Sequence, residues 1–220
     1  MALIKTTKSK VLAIQHLTPT AYVVRLEKNG FQFKAGQYLV LTIPGKQKAR
    51  EYSIYNSTDT DYIDLLIKEV DPGEVSKEIK NIELGTEVEL AGPYGFFVLR
   101  DSELAAAKHF TFVATGTGIS PFHSMILTYS QLNYTLIHGT RNEGEAYDAA
   151  DYSSDSYINC TSKAETGNYS GRVTDYILAH GVDKNSIYYL CGNSDMVNEV
   201  TMILEHQGIM PGNIRTEIFF

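Results

Sequence analysis

The spacing of hydrophobic and polar residues along the first part of the chain predicts antiparallel strands. Between residues 11 and 93, short runs of alternating or β-branched residues are separated by Gly, Pro, Asn and Asp, which is typical of strands and their turns. These runs are residues 11–14, 22–26, 38–43, 62–67 and 87–90. About six such strands, interrupted by one helix over 75–82, predict a small closed antiparallel β-barrel.

The pattern changes after residue 101, where apolar strands begin to alternate with helices. Strands are predicted over 109–114, 134–138, 157–160, 187–190 and 214–220. Helices are predicted over 120–131, 174–180 and 195–206, with a further helical stretch near 146–152. This alternation predicts an α/β domain, a doubly wound parallel sheet with helices on both faces. The sequence therefore divides into two domains, residues 1–101 and 102–220.

A glycine turn links the first strand of this sheet to the next helix. Gly116 and Gly118 lack Cβ atoms, so a phosphate can approach the backbone N–H groups, and Pro121 suits a first helical turn. Because Pro121 replaces the third glycine of the usual dinucleotide fingerprint, an ordinary tight turn is an alternative. Two more strand ends, 138–141 and 191–195, carry glycines. Since ligands of such sheets bind at the carboxyl ends of strands, we expect a dinucleotide crevice there.

Composition narrows the chemistry that the chain can carry. Its 220 residues suit two domains of roughly 100 residues each. The only two cysteines, Cys160 and Cys191, are too few for a disulfide scaffold, a four-cysteine zinc site or an iron–sulfur cluster. No apolar run reaches transmembrane length and no export signal is evident, so we expect a cytoplasmic protein without membrane contact.

Charge is distributed unevenly around a net charge of −7. Residues 1–50 carry nine Lys or Arg against one acid, whereas residues 51–220 are acidic. A basic region of this kind attracts an acidic protein partner or nucleic acid, and a solvated strand face is the alternative.

Five motifs, in order, resemble those of the ferredoxin-NADP reductase family in its bacterial ferredoxin/flavodoxin type. Residues 50–54 (Arg-Glu-Tyr-Ser-Ile) resemble its Arg-x-Tyr-Ser flavin motif, and residues 73–76 (Gly-Glu-Val-Ser) its Gly-x-Val-Ser pyrophosphate motif. Residues 92–97 resemble the segment that closes the flavin barrel, and residues 116–122 and 191–197 resemble the two nicotinamide-cofactor motifs. The resemblance covers nearly the whole chain and implies an FAD-binding barrel followed by an NAD(P)-binding domain.

On the flavin side, the residue types suit the implied cofactor. Arg50 offers a planar fork of donors for a phosphate, and Tyr52 offers a ring on which a flavin stacks. By resemblance, the Ser53 hydroxyl hydrogen-bonds near flavin N5 and is a catalytic group. The structural alternatives are a surface charge for Arg50, a core residue for Tyr52 and a turn cap for Ser53. The implied FAD contacts are Arg50, Tyr52, Ser53, Ile54, Gly73, Val75 and Ser76.

On the nicotinamide side, the resemblance implies a site at the ends of two strands. Cys191 is implied to lie beside the reactive ring, with a buried thiol as the alternative, and Cys160 is interpreted as structural. Asp195 stands at the start of a helix, where a capping role is also compatible. The implied contacts are Thr115, Gly116, Thr117, Gly118, Ile119, Pro121, Cys191, Gly192, Asn193, Asp195 and Met196.

Cationic residues are expected to select NADP over NAD, because NADP carries an additional 2'-phosphate. Residues 162–163 (Ser-Lys) and 171–173 (Gly-Arg-Val) resemble the family's phosphate-binding segments. Lys163 stands where the family often has Arg, and a point charge in place of a bidentate fork lowers the expected selectivity, so NADH remains an alternative donor. The implied 2'-phosphate contacts are Arg141, Ser162, Lys163 and Arg172.

The last two residues, Phe219 and Phe220, are aromatic. By resemblance, one of them covers the second face of the flavin and moves aside for the nicotinamide; an edge strand that buries aromatics is the alternative. Glu217 resembles an acidic residue that positions nicotinamide or relays protons. It completes the implied catalytic set with Ser53 and Cys191.

The resemblance implies an FAD-dependent oxidoreductase that transfers hydride from NADPH to flavin and passes electrons singly to a separate acceptor. An acidic ferredoxin or flavodoxin matches the basic region, and neither nucleic acid nor a metal is expected. The basic residues concerned are Lys5, Lys8, Lys10, Lys34, Lys46 and Lys48. Three alternatives remain: a free-flavin reductase, an electron-transfer component of an oxygenase system, and a non-catalytic nucleotide-sensing module.

Overall fold

The chain forms two units in the computed structural model, which describes residues 6–43, 45, 48–71 and 73–219. The first unit comprises residues 1–98 together with 120–128, and the second comprises 99–119 and 129–220. The domain boundary between residues 101 and 102 stays a prediction. None of the helices in the described ranges is long and apolar enough to cross a membrane.

Six antiparallel strands make up the sheet of the first unit, as the alternating pattern predicts. In chain order they are β1 (Thr6–His16), β2 (Ala21–Glu27), β3 (Tyr38–Thr42), β4 (Ala49–Ser53), β5 (Tyr62–Lys68) and β6 (Glu87–Tyr94). Their spatial order is β4-β3-β6-β1-β2-β5. The Tyr55 N–H, just after β4, donates to the Asp64 carbonyl of β5 at 2.8 Å and so joins the two ends of the sheet.

The helix α1 (Glu74–Lys80) packs on this barrel. Val75 and Ile79 stand one helical turn apart, so both face inward and join the barrel core. That core is built mainly from inward-facing strand residues, including Tyr22, Leu39, Leu41, Leu65 and Ile67, and from Ile54, which directly follows β4.

The second unit contains a six-stranded sheet whose neighbouring strands are all parallel. The strands are β7 (Phe110–Thr115), β8 (Tyr134–Thr140), β9 (Tyr157–Thr161), β10 (Tyr169–Ser170), β11 (Ile187–Gly192) and β12 (Ile214–Ile218). Their order is β10-β9-β8-β7-β11-β12. The α/β architecture with a parallel sheet is therefore confirmed.

Four helices accompany the strands of this part of the chain: α2 (Asp101–Ala105), α3 (Ser120–Thr128), α4 (Val173–His180) and α5 (Ser194–His206). By its contacts α3 belongs to the first unit. The α4 and α5 helices pack on the sheet face that carries Tyr188 and Leu190. Tyr189 alternates to the opposite face, where its ring meets Phe112 edge-on at 5.9 Å between centroids.

One helix prediction is wrong. The stretch near 146–152 contains no α-helix but two short 3-10 turns, Glu143–Glu145 and Ala149–Asp151. Asp148, between them, has a left-handed backbone with φ of 48°. Since a continuous right-handed helix cannot include that conformation, the local hydrophobic spacing is overridden.

Arg215 of β12 and Glu103 of α2 form an ion pair with little exposure, 13% and 15% of their side chains. The guanidinium also donates to Glu103 Oε2 at 2.9 Å and to the Tyr189 hydroxyl. The pair therefore attaches α2 to the last strand of the sheet.

We expect Glu103→Ala to lower the free energy of unfolding by about 2 kcal/mol, because it leaves the Arg215 guanidinium poorly solvated and without its carboxylate. Urea denaturation followed by circular dichroism measures this. The control Lys77→Ala breaks the exposed Lys77–Asp71 pair, and no measurable loss is expected. Equal losses in both variants would contradict this account of the Arg215 pair.

Candidate active site

Two glycine turns pack against each other at the carboxyl ends of β7 and β11. A Cβ added to Gly118 would overlap the Cys191 carbonyl and lie 2.8 Å from Gly192 Cα. A Cβ added to Gly192, whose φ is +148°, would overlap the Thr115 side chain. Only glycines allow this approach. The third glycine-bearing strand end lies beside them, because β8 pairs with β7 and Gly139 is in register with Thr115, so the structure brings together all three strand ends that the sequence groups.

Gly116 opens the turn that follows β7. Its φ is +55°, and a Cβ there would meet nothing within 4 Å. A 3-10 turn, Gly116–Ile119, leads directly into α3, with Pro121 in the first helical turn. Amide groups at such a helix start lack intrahelical partners, so the arrangement suits an anion. Ile119 is fully buried, so its side chain belongs to packing.

Asn193 connects the two turns and caps α5. Its Oδ1 accepts from the Met196 N–H at 2.9 Å, and its Nδ2 donates to Thr115 Oγ1 at 3.2 Å. The cap considered for Asp195 is therefore wrong: the residue two positions earlier has the extended backbone of an N-cap and reaches the first free amides. Asp195 is exposed in the first helical turn.

Cys191 and Glu217 are paired in register on β11 and β12. The Cys191 side chain is fully buried, and this burial, together with the Glu217 charge, raises the pKa of the thiol well above its usual value. The group is therefore an uncharged thiol at neutral pH. The Phe219 N–H donates to the Gly192 carbonyl at 2.8 Å, so Phe219 reaches the same edge. Phe220 lies outside the described residues.

The residues expected to bind a 2'-phosphate meet at the ends of β8 and β9. The Ser162 N–H donates to the Thr140 carbonyl and the Lys163 N–H to the Arg141 carbonyl, each at 3.0 Å. Arg172 immediately precedes α4. All four implied contacts are exposed. The acidic residue Glu145 lies beside these cations, because its carboxylate oxygen accepts a hydrogen bond from the Arg141 backbone N–H at 3.0 Å.

In the barrel, β4 carries the residues of the flavin motif. Arg50 is exposed, and its Nη1 donates to the Ala49 carbonyl at 2.9 Å. Tyr52 packs partly on the barrel core, and burial raises the pKa of its phenol to about 12 although the Arg50 charge opposes this. Ser53 is 4% exposed, and the Ile54 side chain is inside the core, so Ile54 can offer only its backbone to a ligand.

The second flavin motif forms the start of α1. A Cβ on Gly73 would lie 2.6 Å from the Val70 carbonyl oxygen, so only glycine fits. The Ser76 hydroxyl is buried and accepts a long hydrogen bond of 3.4 Å from the Val70 N–H. Val75 belongs to the barrel core.

His138 and Tyr157 were not assigned a role from the sequence. His138 is fully buried on β8, with Nε2 at 3.0 Å from the Gly116 carbonyl oxygen and Nδ1 at 3.1 Å from the Tyr157 hydroxyl. A histidine within an apolar strand directly before Gly139 was the available signal.

The basic region is partly offset by acids. Lys8 pairs with Glu87 at 2.6 Å, and Lys48 pairs with Glu74. Lys10 stands opposite Glu87 in the β1–β6 register, while Lys34 is exposed. Lys5 and Lys46 lie outside the described residues.

Comparison with known proteins finds a match for each of the two domains. Residues 13–99 match the oxidoreductase FAD-binding domain, and residues 112–201 match the oxidoreductase NAD-binding domain. The chain is 31% identical to the phenol 2-monooxygenase reductase component of Pseudomonas sp. (strain CF600), over 96% of this chain and 64% of that protein. It is 28% identical to the naphthalene 1,2-dioxygenase system ferredoxin–NAD(P)(+) reductase component of Pseudomonas putida, over 97% and 69% respectively. The chain thus spans less than two thirds of the phenol 2-monooxygenase relative.

A solved structure has the same fold along its full length. The ferredoxin NADP+ reductase from Neisseria gonorrhoeae with bound FAD and NADP superposes with a TM-score of 0.86 at 23% identity, covering 98% of this chain and 99% of that one. The chain therefore carries an oxidoreductase FAD-binding domain followed by an oxidoreductase NAD-binding domain, and it has the fold of this ferredoxin NADP+ reductase.

Proposed function

We propose that this chain is an FAD-dependent reductase that takes hydride from NADPH and delivers electrons singly to a separate carrier protein. The observation that carries the proposal is the packing of the two glycine turns at the edge of the parallel sheet, in a chain that also has an FAD-binding barrel.

The residues of the barrel fit FAD by the chemistry of their donors. Arg50 has an exposed guanidinium on the same strand face as the Tyr52 ring, which suits a phosphate beside a flat ring system. Gly73 keeps the start of α1 free of a side chain. When bound, FAD accepts hydride and releases single electrons, which no side chain of the protein can do.

The residues of the α/β domain fit a nicotinamide dinucleotide. The Gly116 turn has the open space and the helix start that a pyrophosphate needs. Cys191, as a neutral thiol, adds no charge beside the reacting ring. Glu217 and Phe219, at the same edge, orient the nicotinamide and exclude water from it.

Preference for NADPH is supported by Arg141, Lys163 and Arg172. Their side chains are exposed: Arg141 follows β8, Lys163 lies just after β9, and Arg172 precedes α4. The domain is otherwise acidic. A 2'-phosphate gains charge-assisted hydrogen bonds from them, whereas the 2'-hydroxyl of NADH gains much less.

The electron acceptor is proposed to be a separate acidic protein such as a ferredoxin or flavodoxin. The two cysteines are unpaired and buried, so the chain has no ligand set for an iron–sulfur cluster of its own. Unpaired cysteines also agree with a reducing, cytoplasmic location. A second candidate, the electron-transfer component of an oxygenase system, is supported by the two relatives named above.

We expect Arg50→Ala to weaken FAD binding about tenfold to 100-fold, because a charge-assisted hydrogen bond to phosphate is lost. The measurement is the flavin absorbance retained after gel filtration, followed by titration of the apoprotein with FAD. The control Lys10→Ala removes an exposed charge from β1 and should retain the full flavin content. Unchanged FAD affinity in Arg50→Ala would remove this residue from the site.

We expect the double variant Lys163→Ala/Arg172→Ala to raise the KM for NADPH at least tenfold and the KM for NADH less than twofold, since only NADPH has the 2'-phosphate. Steady-state reduction of ferricyanide measures both. Lys184, exposed at the opposite end of the sheet before β11, provides the control Lys184→Ala. Equal changes for the two donors would show that these cations do not select NADPH.

A further inference from the structure

His138 connects the interior of the parallel sheet to the pyrophosphate turn. It lies on β8, in register with Ala114 of β7 and Asn159 of β9, and is fully buried. Its two ring nitrogens face different groups, the Gly116 carbonyl at 3.0 Å and the Tyr157 hydroxyl at 3.1 Å.

These partners determine the tautomer of the imidazole. A carbonyl oxygen can only accept, so Nε2 carries the hydrogen and donates it to Gly116. Nδ1 therefore has a lone pair, which accepts the hydrogen of the Tyr157 hydroxyl. Burial lowers the pKa of His138 to about 4, so the ring keeps this neutral state at physiological pH.

The hydrogen bond fixes one peptide group of the turn. A trans peptide is planar, and its C=O and N–H point in opposite directions. With the Gly116 carbonyl held toward His138, the N–H of the following residue is directed away from the sheet interior. Glycine at φ +55° tolerates other orientations of this peptide, so the bond to His138 adds to the 3-10 turn over Gly116–Ile119 in holding this one.

We propose that His138 is a positioning residue that orients the Gly116–Thr117 peptide for binding the pyrophosphate of the nicotinamide cofactor, and that Tyr157 holds the imidazole in the required tautomer. This inference rests on the proposed function. A purely structural role would require only that the volume beside Tyr147 and Tyr157, whose ring centroids are each 6.3 Å away, is filled.

The test compares variants that distinguish the loss of the His138 hydrogen-bond donor from the loss of its side-chain volume. His138→Leu fills the space without a donor, and His138→Gln restores an N–H close to the position of Nε2. Isothermal titration of the oxidised holoenzyme with NADP+ should show about a tenfold higher Kd for His138→Leu and a Kd within threefold of wild type for His138→Gln. The KM for NADPH should follow the same order while kcat with ferricyanide stays within twofold.

Adenosine 2'-monophosphate is the second probe, because it lacks the pyrophosphate. Its Kd should change less than twofold in both variants. Tyr157→Phe removes only one hydroxyl and should raise the Kd for NADP+ about threefold. This variant replaces His138→Leu as the test if His138→Leu does not fold.

The inference is overturned if NADP+ binds folded His138→Leu as tightly as wild type, if His138→Gln is as impaired as His138→Leu, or if both probes lose affinity equally. If His138→Leu does not fold, unchanged NADP+ affinity in Tyr157→Phe overturns it. Failure of the proposed function is distinct: wild-type protein would then bind neither NADP+ nor adenosine 2'-monophosphate.

Discussion

The close approach of Gly118 to the end of β11 is the constraint on which the nicotinamide side of the structure depends. Any side chain at residue 118 would overlap the Cys191 carbonyl, and any at residue 192 would overlap Thr115. Because Gly118 and Gly192 have no side chains, the turns that follow β7 and β11 pack directly against each other. Asn193 then bridges the turns through Thr115 while it caps α5. The start of α3, the N-cap of α5 and the end of β12 therefore all lie close to this one backbone contact.

The same edge gathers groups that are far apart in sequence. Pairing of β12 with β11 places Glu217 beside Cys191, and the Phe219 N–H bonds to the Gly192 carbonyl. The ends of β8 and β9 bring Arg141 and Lys163 together. Parallel strands deliver all of these to one edge, since their carboxyl ends coincide. In the barrel the corresponding element is β4, whose alternation presents Arg50 and Tyr52 on one face.

The hydrophobic periodicity was sufficient to predict most strands and helices, because burial of one or both faces of an element determines the spacing of its apolar residues along the sequence. It failed near 146–152, where Asp148 adopts a left-handed backbone that no hydrophobic pattern reveals. Local motifs located the glycine turns, since the sequence shows directly where glycine, the residue without a Cβ atom, occurs. The roles of His138 and Tyr157 were not accessible, because they depend on register between β7, β8 and β9. The capping role of Asn193 rather than Asp195 was similarly a matter of backbone geometry.

Anaerobic titration of the purified protein with NADPH and then NADH, followed by visible flavin absorbance, tests the central claim most directly. We predict a yellow protein whose absorbance is bleached by NADPH in stoichiometric amount and more rapidly than by NADH. A colourless protein that does not bind added FAD would contradict the flavin assignment of the barrel. A yellow protein that neither donor bleaches would contradict the assignment of the glycine turns to a nicotinamide cofactor.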